Sequence, residues 1–152
     1  MIVFYRAIKF NYIIGGFNRY GYNIQRSISD RIYFFEIKNW NGNERFIKNR
    51  DCIETFIVSL WDNDKLIGFG RIVGDEGITY VVSDIMVDPN YQRKGLGKVI
   101  MREIDSYLNK NTDENAYVCL IANKPADKLY YQFDFEYVDP KSCGMKRKQI
   151  KE

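Results

Sequence analysis

Histidine is absent from these 152 residues. That absence excludes histidine-based triads, imidazole metal ligands and a histidine general base. Acid–base work falls to carboxylates, Tyr, Lys, Cys or water. Cysteine is scarce. Cys52, Cys119 and Cys143 are far apart, odd in number and form no CxxC pair. They read as reduced thiols of an intracellular protein. Charge of one sign is also lacking: 23 basic and 20 acidic residues leave a net charge of +3 and a pI near 8.7. That balance is too mild for a nucleic-acid partner. No segment approaches a membrane span in length, and the N-terminus has no charged region followed by a clean apolar run. Repeats, low-complexity tracts and Pro/Ser-rich linkers are missing too. The expectation is a single soluble, cytoplasmic domain over residues 1–152, with no metal, membrane or nucleic-acid partner.

What is present favours a folded chain. Hydrophobic residues make up 45% and aromatic residues 16%, with twelve Tyr and ten Phe. This supports a real core, built largely of aromatics. Residues 1–54 are hard to read. Ile2–Tyr5 could start a strand, the glycine pair in Ile13–Phe17 argues for a break, and Asn18–Ser29 has no clean period. Ile32–Ile37 reads as a strand, Trp40–Asn43 as a turn, and Glu44–Cys52 as a short helix or loop. From Thr55 the signal sharpens. Thr55–Trp61, Leu66–Val73 and Ile78–Val87 form an antiparallel meander joined by turns at 62–65 and 74–77. Gly68 and Gly70 inside the second strand hint at a bulge or a close packing neighbour. A helix follows over Leu96–Asn109, with Val99, Ile100, Ile104, Tyr107 and Leu108 on one face. Tyr117–Ala122 is a buried-type strand, and Ala126–Phe133 a short helix with Pro125 near its first position. Phe135–Val138 and a segment near Met145–Lys146 are expected to supply the last strands. Strands segregated around helices in this order make an α+β domain, of mixed α/β content.

The most informative stretch is Ile78–Leu108. It runs from a β-rich segment through Gln92-Arg93-Lys94-Gly95-Leu96-Gly97-Lys98 into the long helix. Unpaired N–H groups at a helix start, reinforced by the helix dipole, make an anion site. Gly95 and Gly97 remove side chains where a phosphate must approach the backbone, and Arg93, Lys94 and Lys98 add positive charge. The loop therefore reads as a pyrophosphate cradle. The alternative is an ordinary helix entry with solvated lysines.

The run Asp84-Ile85-Met86-Val87-Asp88-Pro89-Asn90-Tyr91-Gln92-Arg93-Lys94-Gly95-Leu96-Gly97 resembles the core strand and Q/RxxGxG/A signature of the GNAT superfamily of N-acetyltransferases. A second block, Asn123 to Phe135, resembles that family's N…FYxxxGF region. The resemblance covers residues 55–146, leaving 1–54 as a poorly matched region that shapes the acceptor side. Two departures stand out: Arg93 and Asp134 occupy positions where the family often has glycine. The first is tolerable with the side chain pointing outward. The second suits a turn, where Asp accepts unusual backbone angles.

The resemblance implies a central mixed, largely antiparallel sheet with a splayed pair of central strands flanked by helices. It implies acetyl-CoA as donor and direct transfer to a primary amine in a ternary complex, with no metal. Residues 92–98 would hold the pyrophosphate. The backbone at Ile85, Met86 and Val87 would pair with pantetheine, and Asn123 would bond that arm or a water. Tyr130 matches the family tyrosine that protonates the leaving thiolate, with Tyr131 as its neighbour in reserve. Asp84 would bind the ammonium or take its proton through water, as an alternative to a structural role. The acceptor would be a small-molecule amine or a protein amino group, and homodimers are common in this family. A CoA-binding sensor or interaction module without turnover is the competing reading.

Overall fold

The computed structural model describes residues 14–17, 21–28, 35–38, 44–47 and 54–145. Strands β1 (Ile14–Phe17), β2 (Asn23–Ile28), β5 (Glu54–Asp62), β6 (Lys65–Gly74), β7 (Thr79–Val87) and β8 (Tyr117–Cys119) form one sheet in the order β1-β2-β5-β6-β7-β8. Strands β3 (Phe35–Lys38) and β4 (Glu44–Ile47) pair separately as an antiparallel two-stranded sheet. Every neighbour in the large sheet is antiparallel except β7 and β8. Helix α1 spans Leu96–Asn111 and helix α2 spans Asp127–Tyr130, the latter continued by a 3-10 turn over Tyr131–Phe133. The mixed, largely antiparallel α+β sheet is the one expected.

The meander of β5, β6 and β7 forms where alternation and turn residues predicted it. Asn63 takes φ 51° in the first turn. In the second, Asp75 Oδ1 accepts from the N–H groups of Gly77, Ile78 and Thr79 at 3.0, 2.9 and 2.9 Å. These bonds, Thr79 foremost and then Gly77, hold the Asp75 carboxyl below its usual range. Past β7, the Asp88 side chain accepts from Asn90 N–H at 2.8 Å and caps the 3-10 turn Pro89–Tyr91.

Helix α1 lies across one face of the sheet. It buries Leu96, Val99, Ile100, Met101, Ile104 and Leu108 against Val58, Leu60, Ile72 and Val82. Each such aliphatic side chain contributes about 1.5–3 kcal/mol. The Arg26–Glu103 pair, at 2.6 and 2.7 Å, also ties β2 to α1, but a part-exposed ion pair adds less than about 1 kcal/mol. Packing therefore holds the helix and the pair sets its azimuth. Gly70 lets α1 come close. A Cβ there would lie 2.5 Å from Ile100 Cγ2 and 2.7 Å from Ile85 Cδ1.

Several expectations are corrected. Ile14–Phe17 is a strand despite its glycine pair, held along its whole length by pairing with β2. The polar stretch before Ser29 contains β2, which inserts between β1 and β5. Glu44–Ile47 is a strand, stabilised by its hairpin partner, where a helix or loop was expected. The strand at Tyr117 stops at Cys119, so Leu120–Ala122 lies outside the ladder. Residues 134–145 contain no strand, so Phe135–Val138 is not one. Residues 2–5, 32–34, 40–43, 48–52 and Lys146 lie outside the described residues.

Candidate active site

The site is set by two irregularities in β7. The first is a bulge. Phe69 pairs with Met86 but Arg71 pairs with Ser83, so Gly70 faces two residues, Asp84 and Ile85. An extra residue on one strand bends it and re-aims its side chains. Asp84 takes the bulge in a left-handed conformation, φ 54°, which Asp tolerates better than most residues. The second is a splay. Only Thr79, Tyr80 and Val81 pair with β8, while β7 runs on to Val87. Among the described residues, no strand takes the outer edge of 82–87. A wedge opens there, with backbone groups on its wall.

The glycine loop over residues 92–98 sits at the mouth of this wedge. Gly95, the residue before α1, has φ 78° and provides no side-chain cap. The carbonyl of Gly95 accepts from Lys98 and Val99 N–H at 3.1 and 3.2 Å. Among the described residues, no hydrogen bond takes the N–H of Arg93, Lys94, Gly95, Leu96 or Gly97. Five consecutive donors at a helix start, with the dipole behind them, suit a diphosphate. Arg93, Lys94 and Lys98 are exposed and have no carboxylate partner among the described residues. Arg93 adopts φ 60°, the backbone state that favours glycine, with its side chain outward. A Cβ on Gly97 would meet Leu129 Cδ2 at 3.3 Å, so a larger residue would press on the α2 wall of the cleft.

The cleft measures about 340 Å3 and is bounded by Ile85, Val87, Gln92, Arg93, Gly95, Leu96, Gly97, Lys98, Ala126, Leu129 and Tyr130. Gln92 turns back to donate to the Val87 carbonyl at 3.1 Å. Tyr130 is half-buried and its ring meets Phe135 edge-on at 6.3 Å. Burial pushes its phenol pKa up, which keeps the proton on. Tyr131 is 49% exposed, packs edge-on against Tyr137 and does not border this cleft.

The other residues singled out from sequence, Lys94 at the loop's rim among them, fall outside the cleft lining. The Asp84 carboxylate is taken by Arg71: Nε and Nη2 each lie 2.7 Å from Oδ2, and Ser83 Oγ lies at 3.2 Å. Met86 is absent from the lining, as an alternating strand requires of a residue between Ile85 and Val87. Asn123 is exposed, with its carbonyl accepting Ala126 N–H at 2.7 Å. Sequence reading missed Arg71 as the partner of Asp84, because bulge register is invisible in one strand. It also missed Leu129 and Ala126, which are ordinary apolar residues until α2 docks at the wedge. No group of three or more metal-ligating side chains occurs among the described residues.

Comparison with known proteins agrees with this geometry. The sequence profile of the acetyltransferase (GNAT) family matches residues 22–135. The chain is 30% identical over 105 residues to GCN5-related N-acetyltransferase 3, chloroplastic, of Arabidopsis thaliana, covering 68% of this chain and 44% of that protein. It spans about half the length of the curated relatives it matches. Among solved structures, a probable acetyltransferase of unknown function from methicillin-resistant Staphylococcus aureus superposes with a TM-score of 0.60 at 45% identity, over 62% of this chain and 71% of that one. A GNAT family protein from Streptococcus pneumoniae gives a TM-score of 0.52 at 27% identity, over 66% and 74%. The family match takes in the bulged strand, the glycine loop, α1 and Tyr130 together, and the chain belongs to the acetyltransferase (GNAT) family.

Proposed function

We propose that this chain transfers an acetyl group from acetyl-CoA to a primary amine. The observation that carries the reading is the run of five open N–H groups at 93–97, set beside the unpaired edge of β7. Those donors and the three nearby cations hold the diphosphate. The backbone over Ile85, Met86 and Val87 pairs with the pantetheine arm, and an N–H near Ile85 polarises the thioester carbonyl. Asn123 lies four residues beyond β8 and outside the cleft lining, from where its side chain would meet the same arm or a water. Acetyl-CoA brings its own reactivity, so positioning does much of the work.

Tyr130 supplies the proton that the departing thiolate takes up. Burial raises its pKa from the ordinary tyrosine value, which keeps it protonated and a donor at neutral pH. Asp84 is shared with Arg71, which favours water over that carboxylate as the acceptor of the ammonium proton. Asp84 then orients the acceptor side through the bulge. The acceptor is an amine, small or borne on a protein.

The alternative is CoA binding without turnover. One feature favours it: among the described residues, no carboxylate lines the cleft. A thiol-release assay with acetyl-CoA over an amine and peptide library separates the two. Turnover with any acceptor supports transfer, and CoA binding with no release across the library supports the module. Tyr130→Phe should lower kcat at least tenfold with little change in CoA affinity, since general acid catalysis contributes about 100-fold or more. An unchanged kcat removes Tyr130 from the mechanism.

A further inference from the structure

Beside the glycine loop lies a cluster of which the proposed chemistry uses only Lys94. Tyr91 stands two residues before Arg93 and closes the 3-10 turn. Its hydroxyl donates to Asp62 Oδ2 at 2.7 Å, across from the end of β5. Lys65 Nζ and Lys94 Nζ each sit 4.8 Å from the centre of its ring. Lys65 is neutralised by Asp88 at 3.0 Å. Lys94 has no such partner among the described residues, so its ammonium is held by the ring alone. Tyr22 meets the same ring edge-on at 5.9 Å.

We propose that Tyr91 is a positioning residue: anchored to the β5–β6 turn through Asp62, its ring presets the Lys94 ammonium at the rim of the diphosphate cradle. A lysine free in solvent has several rotatable bonds to immobilise when it meets a phosphate, at a cost in conformational entropy. A cation over an aromatic face is attracted by the ring quadrupole even at an exposed site. The ring therefore offsets part of the cost of ordering the lysine. The ammonium has three N–H donors, so it can stay over the ring while it donates to a diphosphate oxygen. Asp62 fixes the ring from a different strand, so the β5–β6 turn helps set the affinity of a loop it does not belong to. The Lys65–Asp88 pair fills the other side of the arrangement without adding net charge.

This inference rests on the proposed acetyl-CoA reading, and a double-mutant cycle tests it on the purified chain. CoA binding is measured by calorimetry for wild type, Lys94→Met, Tyr91→Leu and the double variant. Lys94→Met should raise Kd about tenfold and Tyr91→Leu about three- to tenfold, as expected for a phosphate contact worth about 1.4 kcal/mol. The double variant should be no weaker than Lys94→Met, because the ring acts through the lysine. Multiplicative losses, or no loss in Tyr91→Leu, overturn the proposal. Tyr91→Phe and Asp62→Asn keep the ring and guard against a misfolded leucine variant. Each should weaken CoA by about two- to fivefold only where Lys94 is present. The Lys94 ε-methylene resonance supplies a readout without ligand. It should be shifted upfield by the ring in wild type and return to its ordinary position in Tyr91→Leu. A wild-type chain that shows this shift yet fails to bind CoA would overturn both readings, whereas intact CoA binding with multiplicative losses overturns this one alone.

Discussion

Asp134 and Arg93 both hold φ 60° without being glycine. A left-handed backbone costs a side chain-bearing residue about 1 kcal/mol or more, less for Asp than for Arg. Asp134 ends the 3-10 turn after α2, and its side chain is exposed. Asp134→Gly should therefore raise stability by up to about 1 kcal/mol in a denaturant melt; a lower midpoint would show that the Asp side chain contributes more than its backbone strain removes. Two tyrosines offer a second measurement. The Asp62 carboxylate holds Tyr91, and the Asp127 carboxylate holds Tyr137, so that each phenol is pushed up to about 12. Tyrosine in an unfolded chain ionises near 10. The folded values are higher, so the stability these bonds confer is whole below pH 10 and is lost as pH rises through 12. An ultraviolet titration should show a late phenolate fraction that Tyr91→Phe and Tyr137→Phe each reduce. Equal ionisation of all phenols near pH 10 would contradict both bonds.

At the scale of elements, Gly70 joins strand, bulge and helix. A methyl group there would press on Ile100 and Ile85. Gly70→Ala should destabilise the chain by about 1–3 kcal/mol, the usual cost of overpacking, and should also weaken CoA binding because Ile85 lines the cleft. Gly68→Ala meets its nearest atom only at 3.1 Å and should be milder; the reverse order would refute the account. Both glycines were flagged in the sequence as marks of a bulge or a close neighbour, and Gly70 is both. The apolar face of α1 was legible for a similar reason: Val99, Ile100, Ile104 and Leu108 recur at helical spacing. Leu96 and Met101 were not placed on it, although they are among the most deeply buried residues. Leu96 sits inside the glycine motif, where its apolar character was overshadowed. The strands at 14–17, 23–28 and 44–47 were illegible because each is short and is specified by its partner rather than by its own pattern. β2 illustrates this: Ile24 reaches the core, but Asn23, Gln25, Arg26 and Ser27 between two other strands carry no clear alternation.

For the molecule as a whole, the glycine loop was readable and the register of the strands beside it was not. The proposed anion site is built of residues adjacent in sequence, from Gln92 to Lys98, so one stretch marks it. The Arg71–Asp84 pair and the wedge depend on register between strands, which a single strand does not record. The wedge has a kinetic meaning as well. Strands β5, β6 and β7 join through short turns and can assemble early, because little loop entropy opposes them. The β7–β8 contact comes later: Thr79 must find Tyr117 across the whole of α1, and the parallel ladder there is only three pairs long. A ladder that short, ending in solvent-exposed Tyr117, should open and close many times for each global unfolding. β8 leads through residues 120–126 into the α2 wall of the cleft, so when β8 lifts away that wall loses its tether to the sheet. CoA should therefore slow amide hydrogen exchange at 117–119 far more than at 56–60. Equal protection of both segments would mean that β8 unfolds only with the rest of the chain. On this view the α2 wall of the cleft hangs on a hinge whose resting population is set by three residues of ladder.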